Sequence, residues 1–186
     1  MKIYTKAGDG GETYLASGIK VKKTDSRVDL YGTCDELNSF LGLALTHSSG
    51  LEEEFTEYLS SIQHLLFEIG SELAGYVPRD AEGSILTEQD IENLEKEIDR
   101  LTLSLPPIKN FILPGGSEIA STLHIARTVC RRLERDVLRY VESQGEIAGN
   151  VRKYINRLSD YLFTAARYAN LKQERTETTW KSRTKK

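Results

Sequence analysis

The stretch that decides the fold is SEIASTLHIARTVCRRLERDVLRYVES, residues 117–143. Its apolar residues Ile119, Leu123, Ala126, Cys130, Leu133, Val137 and Val141 recur at alternating spacings of four and three, the seam of a helix in a bundle. Ser117 is a good N-cap and Gly145 serves as a C′ stop, so the helix is expected over 117–144. At about 100° per residue, His124, Arg127, Arg131, Glu134 and Arg135 form a second stripe beside the seam, with Arg132 pointing the other way. Such a stripe has two readings. Arginines snorkel and pair with acids on a solvated surface, or they present fixed guanidinium forks to phosphate oxygens. The spacing does not choose between them.

Outward from this helix the same periodicity continues. Phe55, Leu59, Ile62, Leu65, Leu66 and Ile69 predict a helix over 51–74, and a first helix is expected over 33–48. Thr87 and Asp90 approximate a capping box that opens a third helix, ending near LSLPP. A fifth is expected over 147–172, with a second face of Asn156, Asp160, Phe163, Arg167 and Asn170. A solvated face normally carries several Lys and Glu. This one suggests burial against another surface, such as another subunit, or an ordinary exposed face. Five helices with short connections predict an all-α, antiparallel five-helix bundle.

Residues 1–30 lack helical period and read as a glycine-rich arm with a hairpin-like segment, ahead of a bundle over 31–175. The tail 176–186 is basic and patternless, expected to be mobile. Within the arm, YTKAGDGG (4–11) is either an ordinary turn or a loop whose backbone N–H groups cradle phosphate. It is not a Walker A loop, because its lysine precedes the glycines and no helix follows.

Composition narrows the function classes. The chain has 186 residues, 39% hydrophobic and 28% charged, enough for one domain with a real core. The net charge of −3 argues against a nucleic-acid partner. No apolar run reaches the roughly 18 residues of a membrane span, and no signal segment is visible. Cys34 and Cys130 match no metal or disulfide spacing, so a reducing, cytoplasmic setting is expected. No Glu stands three residues before His47, His64 or His124, which argues against a carboxylate-bridged metal pair.

Together, YTKAGDGG (4–11), VDLYGTCDELNSFLG (28–42), FILPGGSEIASTLHIARTVCRRLER (111–135) and NRLSDYLFTAARYAN (156–170) resemble the PduO-type ATP:cob(I)alamin adenosyltransferases. The resemblance covers nearly the whole chain, in order, with only the tail outside it. It implies a homotrimer with active sites between subunits. The implied reaction moves the 5′-deoxyadenosyl group of ATP onto cob(I)alamin, giving adenosylcobalamin and triphosphate. It implies Mg²⁺ on the ATP phosphates, with Glu134 as a possible protein ligand. Thr5, Lys6, Ala7 and Gly8 match the family's ATP loop, and Thr13, Tyr14 and Lys23 match further ATP contacts. Arg131 matches the arginine thought essential for catalysis, with Lys6 as a second catalytic cation. Arg132, Leu133, Glu134 and Arg135 lie in the same ATP-binding run, and Asn156 matches an ATP-binding asparagine. Asp35 and Arg127 match a salt bridge across the subunit interface. Phe111, followed by Ile112 and Leu113, matches the aromatic that displaces the lower axial ligand of cobalamin. A reductant for cob(II)alamin and a B12-dependent acceptor enzyme are the further partners implied. Gly10 departs from the pattern, standing where the family often has lysine. Two other readings stay open: a non-catalytic cobalamin- or nucleotide-binding carrier, and a structural bundle whose arginines only build an interface.

Overall fold

The structure is a computed structural model that describes residues 2–4, 6–76 and 83–184. Thr5 lies outside the described residues.

The arm holds a two-stranded antiparallel hairpin, β1 (Glu12–Tyr14) and β2 (Lys20–Lys22), in which Glu12 faces Lys22 and Tyr14 faces Lys20. Five helices follow: α1 (Ser26–Thr46), α2 (Glu53–Leu73), α3 (Glu88–Leu103), α4 (Glu118–Ser143) and α5 (Gly149–Lys172). α1 begins seven residues before the expected start. Asp25 is the reason: its side chain accepts from Arg27 N at 2.9 Å and caps the helix. The first helix therefore takes in residues 26–30, which the lack of helical period assigns to the arm. At α3 the capping box is complete, because Thr87 accepts from Asp90 N and the Asp90 carboxylate accepts from Thr87 N at 2.8 Å. Gly145 ends α4 for a different reason from the expected one. Its backbone is not left-handed; a Cβ there would stand 3.1 Å from the Tyr140 hydroxyl, so the glycine leaves room for that ring.

α1 packs on α2 and α4, α4 on α5, and α5 on α3. α2 reaches across to α5 through Phe55 on Tyr168 and Tyr58 on Tyr161, with ring centroids 5.3 and 5.5 Å apart. The α4 seam is buried as its spacing predicts, except that Tyr140 is buried where Val141 is only half-buried. A fully buried Leu such as Leu133 contributes about 2 kcal/mol through apolar area removed from water. Both thiols are buried and bonded across helix pairs. Cys34 Sγ donates to Leu66 O and Cys130 Sγ to Ile155 O, each at 3.3 Å. Burial pushes Cys34 up to about 12, with Asp35 adding to it, and pushes Cys130 well above the usual thiol range.

Two expectations about the far end of the bundle change. Arg167 and Asn170 are buried, but by this chain's own loop and tail rather than by another subunit. The tail is not patternless over 178–180. Thr178 O accepts from Leu113 N at 2.8 Å, Trp180 N donates to Phe111 O at 2.7 Å, and Thr179 bridges Ile112 in antiparallel fashion. No described helix is long and apolar enough to cross a membrane.

Candidate active site

The expected site residues fall into three groups. The first is the arm. Asp9 N donates to Lys6 O at 3.2 Å and Gly11 N to Gly8 O at 3.1 Å, two successive turns that Lys23 N closes onto Gly11 O at 2.8 Å. Lys6 has φ 62, a left-handed conformation uncommon for a residue with a Cβ. At Gly8 a Cβ would stand 3.0 Å from Lys23 Nζ, so the glycine lets that ammonium lie against the loop backbone. Gly10 has open space around it, and a lysine would fit there without collision. Lys6, Ala7, Tyr14 and Lys23 are exposed; Gly8 and Thr13 are half-buried. The hairpin is seated by Leu15, which is buried. With Tyr14 it lines a groove of about 460 Å³ shared with Tyr31 and Asp35 of α1 and Phe67 of α2.

The second group stands on the α4–α5 seam. Asn156 Nδ2 donates to Glu134 Oε1 at 2.7 Å, while Arg157 Nη1 donates to Asn156 Oδ1 at 2.8 Å and Arg157 Nε to Glu95 at 2.7 Å. Both ends of the Asn156 amide are thus fixed, which orients it as a donor. Arg131 and Arg135 are exposed, and the Arg131 guanidinium has no hydrogen bond or ion pair among the described residues. Arg127 is half-buried with its Nε unpartnered. Burial lowers its pKa, and the neighbouring Arg131 lowers it further. Two residues of the run point elsewhere. Arg132 pairs with Glu36 of α1 on the opposite side, and Leu133 lies wholly inside the core, presenting no side chain to a ligand.

The third group is Phe111, 80% exposed, with Trp180 set edge-on at 6.4 Å. Leu113 is exposed beside it, and Ile112 is half-buried. Trp180 was not singled out from the sequence; its signal was the single Trp of the chain in an otherwise polar tail. Among the described residues no three His, Cys, Asp or Glu gather to hold a metal ion. Glu134 offers one carboxylate oxygen beyond the one that Asn156 occupies, which suits a Mg²⁺ ion held mainly by phosphates and water.

His124 is buried against Phe163 with both ring nitrogens unpartnered. Burial, and then Arg127, push its pKa from 6.5 down to about 4. It is neutral above pH 6.5 in both folded and unfolded chains. Below that the unfolded chain takes up the proton first, so stability is lost as pH falls through 6.5 towards 4. His124→Gln is expected to remove up to about 3 kcal/mol of that loss, read from urea midpoints at pH 7 and pH 4. Parallel pH profiles for the two proteins would contradict it.

The arm is seated over α1 and α2, whereas Arg131, Glu134 and Asn156 stand on α4 and α5. One chain therefore carries the two halves of the expected ATP site on different flanks.

A family model described as cobalamin adenosyltransferase matches residues 3–169. The corrinoid adenosyltransferase of Bacillus subtilis (strain 168) is 50% identical over 172 residues, covering 91% of this chain and 87% of that protein. The corrinoid adenosyltransferase MMAB of Homo sapiens is 44% identical over 176 residues, covering 92% and 70%. A phenylalanine-to-alanine variant of the PduO-type ATP:corrinoid adenosyltransferase from Lactobacillus reuteri, solved with cobalamin and ATP, superposes with a TM-score of 0.89 at 40% identity, covering 97% of this chain and 100% of that one.

Proposed function

This chain belongs to the cobalamin adenosyltransferase family, and we propose that it adenosylates cobalamin from ATP in a site assembled between subunits from the two flanks described above. The observation that carries the assembled site is their separation. A loop fit for phosphate and a row of unpaired guanidiniums serve one ATP only if the arm of one copy meets the α4–α5 seam of another. A homotrimer closes such a head-to-tail contact without leaving a free arm.

The chemistry follows from charge and placement. Cobalt of cob(I)alamin is the nucleophile and attacks the ribose C5′. The Co–C bond forms as the C5′–O bond breaks, and the bonding pair leaves on triphosphate. Negative charge develops on that leaving group, where Lys6 of the loop and Arg131 of the facing copy supply fixed positive charge. Gly8, with Lys23 laid over it, lets the phosphates approach the backbone closely. Thr5, Ala7, Thr13 and Tyr14 complete the arm's side of the ATP site. Asn156, fixed by Glu134 and Arg157, orients the nucleotide, and Arg135 adds charge beside it. The free oxygen of Glu134 is available to Mg²⁺ carried on the triphosphate, which when bound adds positive charge beside the leaving group. Arg132 and Leu133 act by holding the helix rather than by touching ATP. Phe111 and Leu113 form an apolar wall on which the lower base of cobalamin has no place, easing reduction of cob(II)alamin.

Arg127 supports the contact between copies. Among the described residues its half-buried guanidinium has no carboxylate partner, and Asp35 stands exposed on the arm's flank. Joined across subunits, each supplies what the other lacks. Asp35→Arg or Arg127→Asp alone is expected to weaken assembly and activity at least tenfold, and the double swap to regain most of both. Sedimentation and turnover measured together check this; a double variant no better than the singles would refute the pairing.

The reaction is tested by mixing the protein anaerobically with MgATP and chemically reduced cobalamin. Catalytic formation of photolabile adenosylcobalamin with free triphosphate is expected. Binding of both ligands without turnover would favour a carrier instead.

A further inference from the structure

The loop that carries Phe111 runs from α3 to α4, and α5 grips it at both ends. At the α4 end, Asn170 accepts from Ser117 N at 2.8 Å and donates to Gly115 O at 2.9 Å. At the α3 end, Arg167 Nη2 donates to Pro106 O at 2.9 Å. The same guanidinium clasps Glu177 with two bonds, Nε to Oε1 at 2.9 Å and Nη2 to Oε2 at 3.2 Å. Glu177 stands immediately before the tail residues that bond to Leu113 and Phe111. Arg167 and Asn170 are three residues apart and share one face of α5.

Arg167 is 6% exposed. Burying a guanidinium is costly unless its donors find partners, and a bidentate carboxylate with a carbonyl takes up Nε–H and both N–H groups of Nη2. The arrangement ties α5, the start of the loop and the tail at a single point. Phe111 needs such support, since its ring is open to solvent apart from Trp180 and its carbonyl is held by Trp180 N.

We propose that Arg167 and Glu177 are positioning residues for the adenosylation: their ion pair anchors the tail strand that holds Phe111 where it excludes the lower base of cobalamin. The proposal rests on the role given to Phe111 above. It separates two substrates by chemistry. Cobalamin carries a lower base that must be excluded, and cobinamide, a corrinoid without the nucleotide loop, does not. A loosened anchor therefore harms turnover of cobalamin and spares that of cobinamide.

The test uses Glu177→Ala, Glu177→Gln and Phe111→Ala, each assayed on the Co(II) forms of both corrinoids with a reductant too weak to reduce free cob(II)alamin in solution, with melting temperature as a control for folding. Glu177→Ala is expected to lower kcat on cobalamin by up to roughly a hundredfold relative to cobinamide, the cost of misplacing a side chain by about an ångström. Glu177→Gln, which keeps one bond to Arg167, should fall between. Equal losses on the two corrinoids, or none, alongside a selective loss in Phe111→Ala would overturn the anchor and leave Phe111 in its role. No selective loss in Phe111→Ala would overturn both. If Glu177→Ala fails to fold, Glu177→Gln, which keeps the side-chain volume but loses the charge, is judged by the same two outcomes.

Discussion

Arg131→Ala is expected to lower kcat by roughly a thousandfold, about 4 kcal/mol of transition-state stabilisation, while assembly and melting temperature stay within error. The two halves of this expectation have separate physical grounds. Loss of rate follows from removing a fixed positive charge where the triphosphate leaves. Retained stability follows from what Arg131 lacks. Its side chain is exposed and makes no hydrogen bond or ion pair among the described residues, so truncation breaks no such bond there. It also relieves Arg127, whose pKa its neighbour depresses. Turnover with MgATP and cob(I)alamin, measured beside sedimentation, separates the cases. An inactive variant that has also fallen apart would return Arg131 to an interface role. A fully active one would end its assignment as a catalytic residue.

Gly116→Ala is the second large effect, and it acts on the fold of the site. Gly116 has φ 112, a conformation that a residue with a Cβ adopts only under strain. The added Cβ would fall 2.1 Å from Asn170 Oδ1, well inside contact distance. Asn170 cannot step aside without abandoning Ser117 N and Gly115 O, and it is almost wholly buried. The expected cost is about 3 kcal/mol or more. Gly115→Ala is the control, because no atom lies within 4 Å of the Cβ it would add. A difference of at least about 2 kcal/mol between the two urea midpoints isolates the collision with Asn170; equal midpoints would show that Asn170 yields freely.

How far the sequence could be read depended on whether a feature was local. The α4 seam, the Thr87–Asp90 box and the Ser117 cap are set by residues within one or two turns, and each forms as its spacing implies. The start of α1 was missed because Gly, Lys and Thr of the arm run straight into it, and the single Asp25 that caps it resembles any turn residue. The unusual face of α5 was visible as arginine and amide where Lys and Glu belong. What covers Arg167 and Asn170 was not visible, because the loop at 106–117 and the tail meet them only through non-local pairing. Three tail residues without alternation give no strand signal. Leu133 is the converse case: its place in the core stripe was legible from spacing, and its side chain is buried there.

The two thiols have a use that their chemistry alone does not suggest. Cys34 is sealed between α1 and α2, and Cys130 between α4 and α5. They form no disulfide, and since both are buried, each can be alkylated only when the helices around it part. The native protein thus carries two clocks, one on α1 and one on α4. Equal labelling rates would mean that the bundle opens as one body, and unequal rates would reveal that one of the two thiols is uncovered by a smaller, local opening.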